Sequence, residues 1–461
     1  MTRILVATGM APNLLDRRRS GAEWCLYWGG KGYNALVNLS ELRDAITAEP
    51  PQLVCDILDI AIGVFLADIA VLRGSNEAWT RDLHLLMPVR DPEFWERNGG
   101  RLVSILHALT KDNFSMEFCA REPTCPELLS PEAGGDVGAA ARRKRGEVRR
   151  VDCVSALSGG IDSLAGAAMT LRADRKSLFV THCSGNPELR KSQGAVIGAL
   201  NDLRPGVGVY ANLMVQPRSG PGARFAFPGQ AKRETSRRSR SFLFMSLLAA
   251  AACGAQVEEA YLCENGVLTV ALPLSAGRVG SLSTRSTHPA VVHEFNGLLR
   301  AAGVNVTVLN PFLYQTKAEL MRDMLRPVLT PQQIQSSMSC WMAGRRHRQC
   351  GGCVPCLLRR IAMLASGLPD EAYEMDILTD PEAYRGTDAY GNLIDLLTQA
   401  VTIRQHSDAE LLMEWPQLLD LATVGVSVTD ILAMYRRHAE ELWRVVHEHF
   451  PAAARLMASV E

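Results

Sequence analysis

From about residue 151 the chain alternates short apolar runs with longer stretches of helical periodicity. Asp152 to Leu157 reads as an apolar strand, Leu164 to Leu171 as a helix and Ser177 to His182 as a second strand. Gln193 to Leu203 reads as a helix and Val207 to Val215 as a third strand. Phe242 to Ala255 is apolar on all sides, as a buried helix is, and Val257 to Cys263 follows as a strand. His293 to Ala302 and Asn305 to Leu309 add one more helix and strand. This alternation predicts an α/β fold built on a doubly wound parallel sheet. Beyond it lie polar-faced helical patterns at Leu393 to Ile403, Leu411 to Leu421 and Ile431 to Phe450.

The first 118 residues have a different texture. Trp24, Trp28, Trp79 and Trp95 supply enough aromatic surface for a core of their own, and Gly29-Gly30-Lys31-Gly32 signals a turn. Leu53 to Leu72 predicts a helix. Trp79 to Met87 partly alternates and predicts a strand stopped by Pro88. Asp56, Asp59 and Asp68 are read as the polar edge or caps of that helix rather than as a metal site. Residues 119–150, with Pro123, Pro126, Pro131, Gly134, Gly135 and the run Arg142-Arg143-Lys144-Arg145, read as a solvated linker. The expected organisation is an N-terminal accessory domain over 1–118, a linker over 119–150, an ATP-binding domain over 151–375 and a helical extension over 376–461.

Charge narrows the partners. Lys+Arg and Asp+Glu both number 49, so no global field favours nucleic acid or an anionic membrane. Ile57 to Leu72 is interrupted by Asp59 and Asp68, and Phe242 to Ala255 is shorter than the roughly 20 residues a membrane helix needs. The N-terminus lacks the pattern of a secretory signal. A cytoplasmic protein with no membrane partner is expected.

Two clusters carry chemistry. Ser158-Gly159-Gly160-Ile161-Asp162-Ser163 stands where a strand should hand over to a helix. Consecutive glycines let backbone amides close on an anion, Ser158 and Ser163 offer hydroxyls, and the helix start adds partial positive charge. Asp162 would orient Mg²⁺ or a loop amide. No Gly-Lys-Ser/Thr follows the glycines, so this is not a Walker loop. The bland alternative is an ordinary serine–glycine turn. The second cluster is Cys340, nine residues, Cys350, two residues, Cys353, two residues, Cys356, out of 12 cysteines in all. This spacing suits a closed tetrahedral Zn²⁺ site, structural rather than hydrolytic, with Arg359-Arg360 placing positive charge beside it. Free or redox-active thiols are the alternative. His347 is a candidate substitute ligand, though an exposed loop histidine is the simpler reading.

The loop resembles the PP-loop of ATP pyrophosphatases, a HUP-like fold that cradles the pyrophosphate of ATP while a substrate oxygen attacks the α-phosphorus. Together with the four cysteines it resembles QueC, the 7-cyano-7-deazaguanine synthase family, over roughly residues 151–370. Arg240-Ser241-Phe242-Leu243-Phe244-Met245-Ser246 is similar to the segment opening that family's buried helix. Asn310-Pro311-Phe312 through Thr316-Lys317-Ala318-Glu319 is similar to its lysine segment. The resemblance implies ATP, Mg²⁺ and Zn²⁺ as cofactors, Ser158, Gly159, Gly160, Asp162 and Ser163 as the nucleotide site, and Lys317, Asp162 and Arg240 as catalytic groups. Lys317 would be the cation near the ATP phosphates; a solvated lysine at a helix start is its bland alternative. It also implies adenylation of 7-carboxy-7-deazaguanine, displacement of AMP by ammonia to form an amide, and a second adenylation that dehydrates the amide to the nitrile.

Departures shift the expectation. Thr181-His182-Cys183-Ser184-Gly185-Asn186 and His288-Pro289-Ala290-Val291 stand where the family has other base-recognition segments, and the short enzyme has no 118-residue front unit. That combination resembles the anti-phage branch, of the QatC type and of type IV CBASS operons. Asp56 to Ala61, Ala67-Asp68, Arg73-Gly74, Trp79-Thr80-Arg81, Pro88-Val89 and Ser283 to Pro289 share its flavour. For that branch the resemblance implies acyl transfer to a protein amine, the N-terminus of a partner encoded nearby, with nucleic acid an unlikely partner. The competing expectations are a nitrile synthase using ammonia and a nucleotide-binding scaffold without turnover.

Overall fold

The computed structural model describes residues 1–19, 21–74, 79–125, 127–130, 150–183, 186–274, 286–342 and 349–460. The basic run Arg142 to Arg145, Pro126, Pro131, Gly134, Gly135, Ser184-Gly185, Ser283 to Arg285 and His347 lie outside the described residues.

Among the described residues ten strands form two sheets. In the first, β1 (Thr2–Val6), β2 (Trp24–Leu26), β4 (Asp82–Val89) and β5 (Asn113–Ala120) lie in the order β2-β1-β4-β5, all parallel. In the second, β6 (Cys153–Ala156), β7 (Ser177–His182), β8 (Gly208–Pro217), β9 (Glu259–Tyr261) and β10 (Thr307–Leu309) are parallel in the order β10-β9-β6-β7-β8. The chain starts this sheet at its centre, winds out through β7 and β8, then returns to the other side of β6. Its strand order therefore reverses between β6 and β9, and in open sheets ligands bind beyond the strand carboxyl ends at such a point.

β3 (Ala35–Asn38) was not anticipated. It comes from the front unit yet adds antiparallel to β8, with Val37 opposite Val215. The two sheets also share one core. Phe65, Ile57 and Leu85 belong to the same apolar cluster as Val154, Leu178 and Leu243. The helix Gln52–Ala70 is buried along nearly its whole length and packs against Arg240–Ala255. Its carboxylates form neither a polar edge nor caps of this helix: Asp56, Asp59 and Asp68 are buried and paired. Asp56 accepts from the Arg90 amide at 2.9 Å and from Trp95 Nε1 at 3.0 Å. Asp59 pairs with Arg90 at 3.1 Å and Asp68 with Arg81 at 2.6 Å. Buried charges persist when paired in this way.

Pro88 does not stop β4, which runs on to Val89. The Val89 carbonyl accepts from the Arg121 amide on the β5 side, so Pro88 faces β1. Pairing with β1 ends at Leu5 opposite Leu86, and the missing N–H costs no ladder bond. The tail is helical as expected, with Asp388–Gln405, Asp408–Glu414 and Val428–His449. Pro416 ends the middle pattern early, and Pro416–Val424 continues as a tighter 3₁₀ turn. These helices build a second core that takes in Val354, Leu357 and Ile361 from the cysteine-bearing helix. Among the described residues no helix is long and apolar enough to cross a membrane.

A candidate phosphate loop and a four-cysteine centre

β6 ends at Ala156, and the helix Ile161–Arg172 begins five residues later with Gly160 as its N-cap. Gly159 lies between them at φ +86°, where an added Cβ would stand 2.9 Å from Gln193 Cγ. Only glycine fits this left-handed, crowded turn without strain. The two serines close the loop on itself. The Ser158 and Ser163 hydroxyls lie 3.1 Å apart, the Ser158 amide donates to Ser163 Oγ at 3.2 Å, and the Gly160 amide donates to Ser158 Oγ at 3.2 Å. No side chain caps the helix, so its first amides remain available to an anion.

Neighbouring segments brace the loop from behind. The Gly159 carbonyl accepts from the Met338 amide at 2.9 Å and from Ser192 Oγ at 3.2 Å. Gln193 Nε2 reaches the Ser158 carbonyl and the His182 carbonyl, both at 3.3 Å. Loop, second helix and cysteine segment are thus fastened together.

Asp162 and Lys317, 155 positions apart, form an ion pair, with only 5% of the Lys317 side chain exposed. Lys317 opens a helical turn fixed by a Thr316–Glu319 capping box, so its backbone is held while Nζ points at the loop helix. The solvated-lysine alternative is therefore set aside. The other Asp162 oxygen accepts from Asn265 Nδ2 at 3.0 Å. Glu264 stands beside this pair, just beyond β9. Burial, and then the charge of Asp162, push its carboxyl up to about 8, while Lys317 pulls the other way. Among the described residues Asp162 and Glu264 bring two carboxylates together on this edge, and a hard cation such as Mg²⁺ would relieve the cost of crowding them.

Glu264 and Asn265 were missed in the sequence. Their signal was the Asn265-Gly266 pair closing a short apolar run, a turn at the carboxyl end of a strand. Asn310 holds that turn, accepting the Glu264 amide at 3.2 Å and donating to its carbonyl at 2.8 Å.

Arg240 sits elsewhere on the same edge. Among the described residues it makes no hydrogen bond or ion pair with the loop; its guanidinium lies over the Phe244 ring at 5.3 Å. Burial first, and then Arg237, bring its pKa down to about 10. It faces His182, whose ring packs edge-on to Phe65 at 5.5 Å and Phe244 at 6.1 Å. Burial, followed by the charges of Arg240 and Arg237, lowers His182 to about 3, so this imidazole is neutral near pH 7. His288, from the second altered segment, caps the helix Pro289–Ala301.

Cys340, Cys350, Cys353 and Cys356 are all buried, with their sulfurs within 4.8 Å of one another. Cys350 and Cys356 are 3.9 Å apart, and Cys340 and Cys353 4.0 Å. Four sulfurs set tetrahedrally at about 2.3 Å from one ion stand about 3.8 Å apart, so the cluster fits Zn²⁺ and leaves no open position. Backbone amides of Met342 and Cys353 donate to Cys340 and Cys350 sulfurs, each at 3.3 Å. Gly351 turns the chain at φ +83°, where a Cβ would stand 2.1 Å from the Met375 carbonyl. The two arginines follow Cys356 on the same helix, and each is paired with carboxylates. Arg359 is fully buried and pairs with Glu371, and Arg360 pairs with Asp370 and Asp376. Carboxylates neutralise their charge, and Arg359 also donates to the Ser337 and Ser339 hydroxyls at 3.0 and 3.2 Å, so the helix Val354–Ala365 is locked to the following turn and to the segment entering Cys340.

Fold and site together define an α/β protein with a glycine–serine strand–helix junction and a buried cluster of four cysteines whose geometry suits a metal ion. The family model described as QueC, queuosine biosynthesis protein QueC, matches residues 286–367, which contain Lys317 and all four cysteines. The match supports a QueC-like assignment. Ser158 to Ser163 and Arg240 lie outside the matched segment. No curated protein matches the chain.

Proposed function

We propose that this chain is an ATP-dependent ligase of the PP-loop type. It adenylates a 7-deazaguanine carboxylate, releasing pyrophosphate, and passes the acyl group to an amine, the N-terminus of a partner protein. The observation that carries this reading is the Asp162–Lys317 pair. It joins a glycine–serine anion loop at the sheet's reversal point to the segment matched by QueC. The QueC match by itself supports an ATP-using, C–N bond-forming enzyme.

On this reading the loop amides take the departing phosphates, and Lys317 turns from Asp162 to meet their charge. A substrate carboxylate oxygen attacks the α-phosphorus, and the bond to the β-phosphate oxygen breaks. The neutral amine then attacks the acyl carbon of the mixed anhydride, AMP leaves and one proton is lost. Asp162 and Glu264 would hold Mg²⁺, which supplies charge neutralisation for the phosphates. The four cysteines would hold Zn²⁺ as a structural element behind the loop. A protein N-terminus, with a pKa of about 7.7–8.0, offers far more neutral amine near pH 7 than a lysine at about 10.4. The front unit, residues 1–118, is assigned to holding the partner.

A second reading, 7-cyano-7-deazaguanine synthesis with ammonia, is favoured by the family match alone. Incubation with ATP, 7-carboxy-7-deazaguanine, an ammonium salt and proteins encoded nearby separates the two. The ligase reading expects a neighbour heavier by one acyl group at its N-terminus. Free nitrile nucleobase with no protein adduct would establish the second reading, and no pyrophosphate under any condition would leave only a nucleotide-binding scaffold.

A further inference from the structure

The segment between β8 and the helix Arg240–Ala255 is unlike the rest of this neutral chain. Residues 218–240 contain seven Lys or Arg against a single carboxylate, Glu234. Arg218, Arg224, Lys232 and Arg237 are exposed, as is Lys31 on the neighbouring front-unit turn. Among the described residues none of these five has a carboxylate within ion-pair distance. Glu234 is held inward, its oxygens accepting backbone amides of Arg73 at 3.0 Å and of Thr235 and Ser236 at 2.8 Å, and its charge acts on Arg238. Surface cations in an ordinary fold are interspersed with acids; here they are gathered, and among the described residues no carboxylate forms an ion pair with them.

The front unit fixes this segment in place. The amides of Arg218, Gly220 and Arg224 donate to the carbonyls of Asn34, Tyr33 and Gly32 at 3.2, 2.8 and 2.7 Å. Gly32 has φ +78°, and an added Cβ would meet the Gly222 carbonyl at 2.9 Å, so the close approach requires glycine. At the far end Asp68 accepts from the Ser239 amide at 3.0 Å and from its hydroxyl at 2.8 Å. There the segment reaches the candidate site. Arg237 and Arg240 act on His182, and Gln193 ties the His182 carbonyl to that of Ser158.

We infer that this basic collar docks an acidic stretch of a polypeptide, guiding the chain that carries the acceptor amine toward the phosphate loop. The inference rests on the ligase reading for the role of that chain, but the docking itself is independent of it. The aromatic residues of the collar decide against nucleic acid. Single-stranded nucleic acid is held by open aromatic faces on which bases stack. Here Phe225 is 7% exposed and carries Arg19 and Arg224 over its ring at 5.4 and 5.7 Å. Arg233 covers Phe227 at 5.2 Å. The rings serve as supports that hold guanidinium groups outward, an arrangement suited to carboxylates.

The test is fluorescence anisotropy with the full chain. The probes are a labelled glutamate-rich peptide with a free N-terminus, a neutral peptide of equal length, and short single- and double-stranded oligonucleotides. The acidic peptide should bind best, and added salt should weaken it. The exposed triple variant R218E/R224E/K232E should lose at least about tenfold in affinity with its thermal unfolding unchanged. Equal binding of the neutral peptide, tighter binding of an oligonucleotide, or undiminished affinity in the variant would each overturn the inference. Pyrophosphate release by the parent chain is measured alongside. Its absence with acidic-peptide binding intact removes the ligase reading and leaves the docking surface standing.

Discussion

Lys317→Met is the sharpest single perturbation of the candidate site. The lysine side chain is 5% exposed and that of Asp162 13%, so removing the cation strands one carboxylate and withdraws a favourable charge acting on Glu264. Breaking a buried pair from one side costs about 3–5 kcal/mol, because the remaining charge is left without a counterion. At roughly 2–4 °C per kcal/mol for a domain of this size, Tm should fall by on the order of 10 °C. The double variant Lys317→Met/Asp162→Asn removes the stranded charge, and most of the lost stability should return. Activity should behave differently. With no cation to meet the departing phosphates, pyrophosphate release should fall by at least about a hundredfold in both variants, the scale of losing one strong electrostatic contact to a transition state. The assays are thermal unfolding and single-turnover pyrophosphate release on each protein. The reasoning is refuted if the double variant recovers turnover along with stability, since Lys317 would then be only a structural counterion.

Two further outcomes follow from the surrounding architecture. Purified protein should contain about one Zn²⁺ per chain, and Cys353→Ser should lose the metal and unfold at lower temperature, since Met338 ties the cysteine segment to Gly159; metal analysis showing equal zinc in both proteins contradicts the assignment. His182 is lowered from 6.5 to about 3, so between those values the unfolded chain binds the extra proton and stability rises with pH. That contribution is complete above pH 6.5 and is lost as pH falls toward 3, so His182→Phe should flatten the acid limb of a Tm-against-pH profile; an unaltered acid limb would show that His182 does not set it.

Much of the second sheet was legible because each of its strands is a short apolar run followed by a helix of clear periodicity, and Ser158 to Ser163 sat visibly at one such junction. The cysteines announced themselves by spacing. What escaped was what three-dimensional pairing creates. β3 carries no strong strand signal of its own and exists because β8 offers it an edge. Pro88 looked like a terminator, and only the early end of β1 makes it harmless. Glu264 and Asn265 gain meaning from the reversal of strand order, which brings β9 beside β6 across more than a hundred residues. Arg359 and Arg360 were read as partners of a metal centre, since a sequence does not reveal that Glu371, Asp370 and Asp376 fold back onto them.

The central claim is that ATP is cleaved between its α- and β-phosphates to activate a carboxylate. Phosphorus NMR of a reaction containing the full chain, ATP, Mg²⁺, 7-carboxy-7-deazaguanine and an amine acceptor, supplied as ammonium or as proteins encoded nearby, tests it directly. The account predicts AMP and pyrophosphate in equal amounts, dependent on the carboxylate and absent in Lys317→Met. ADP and orthophosphate as the sole products would contradict it.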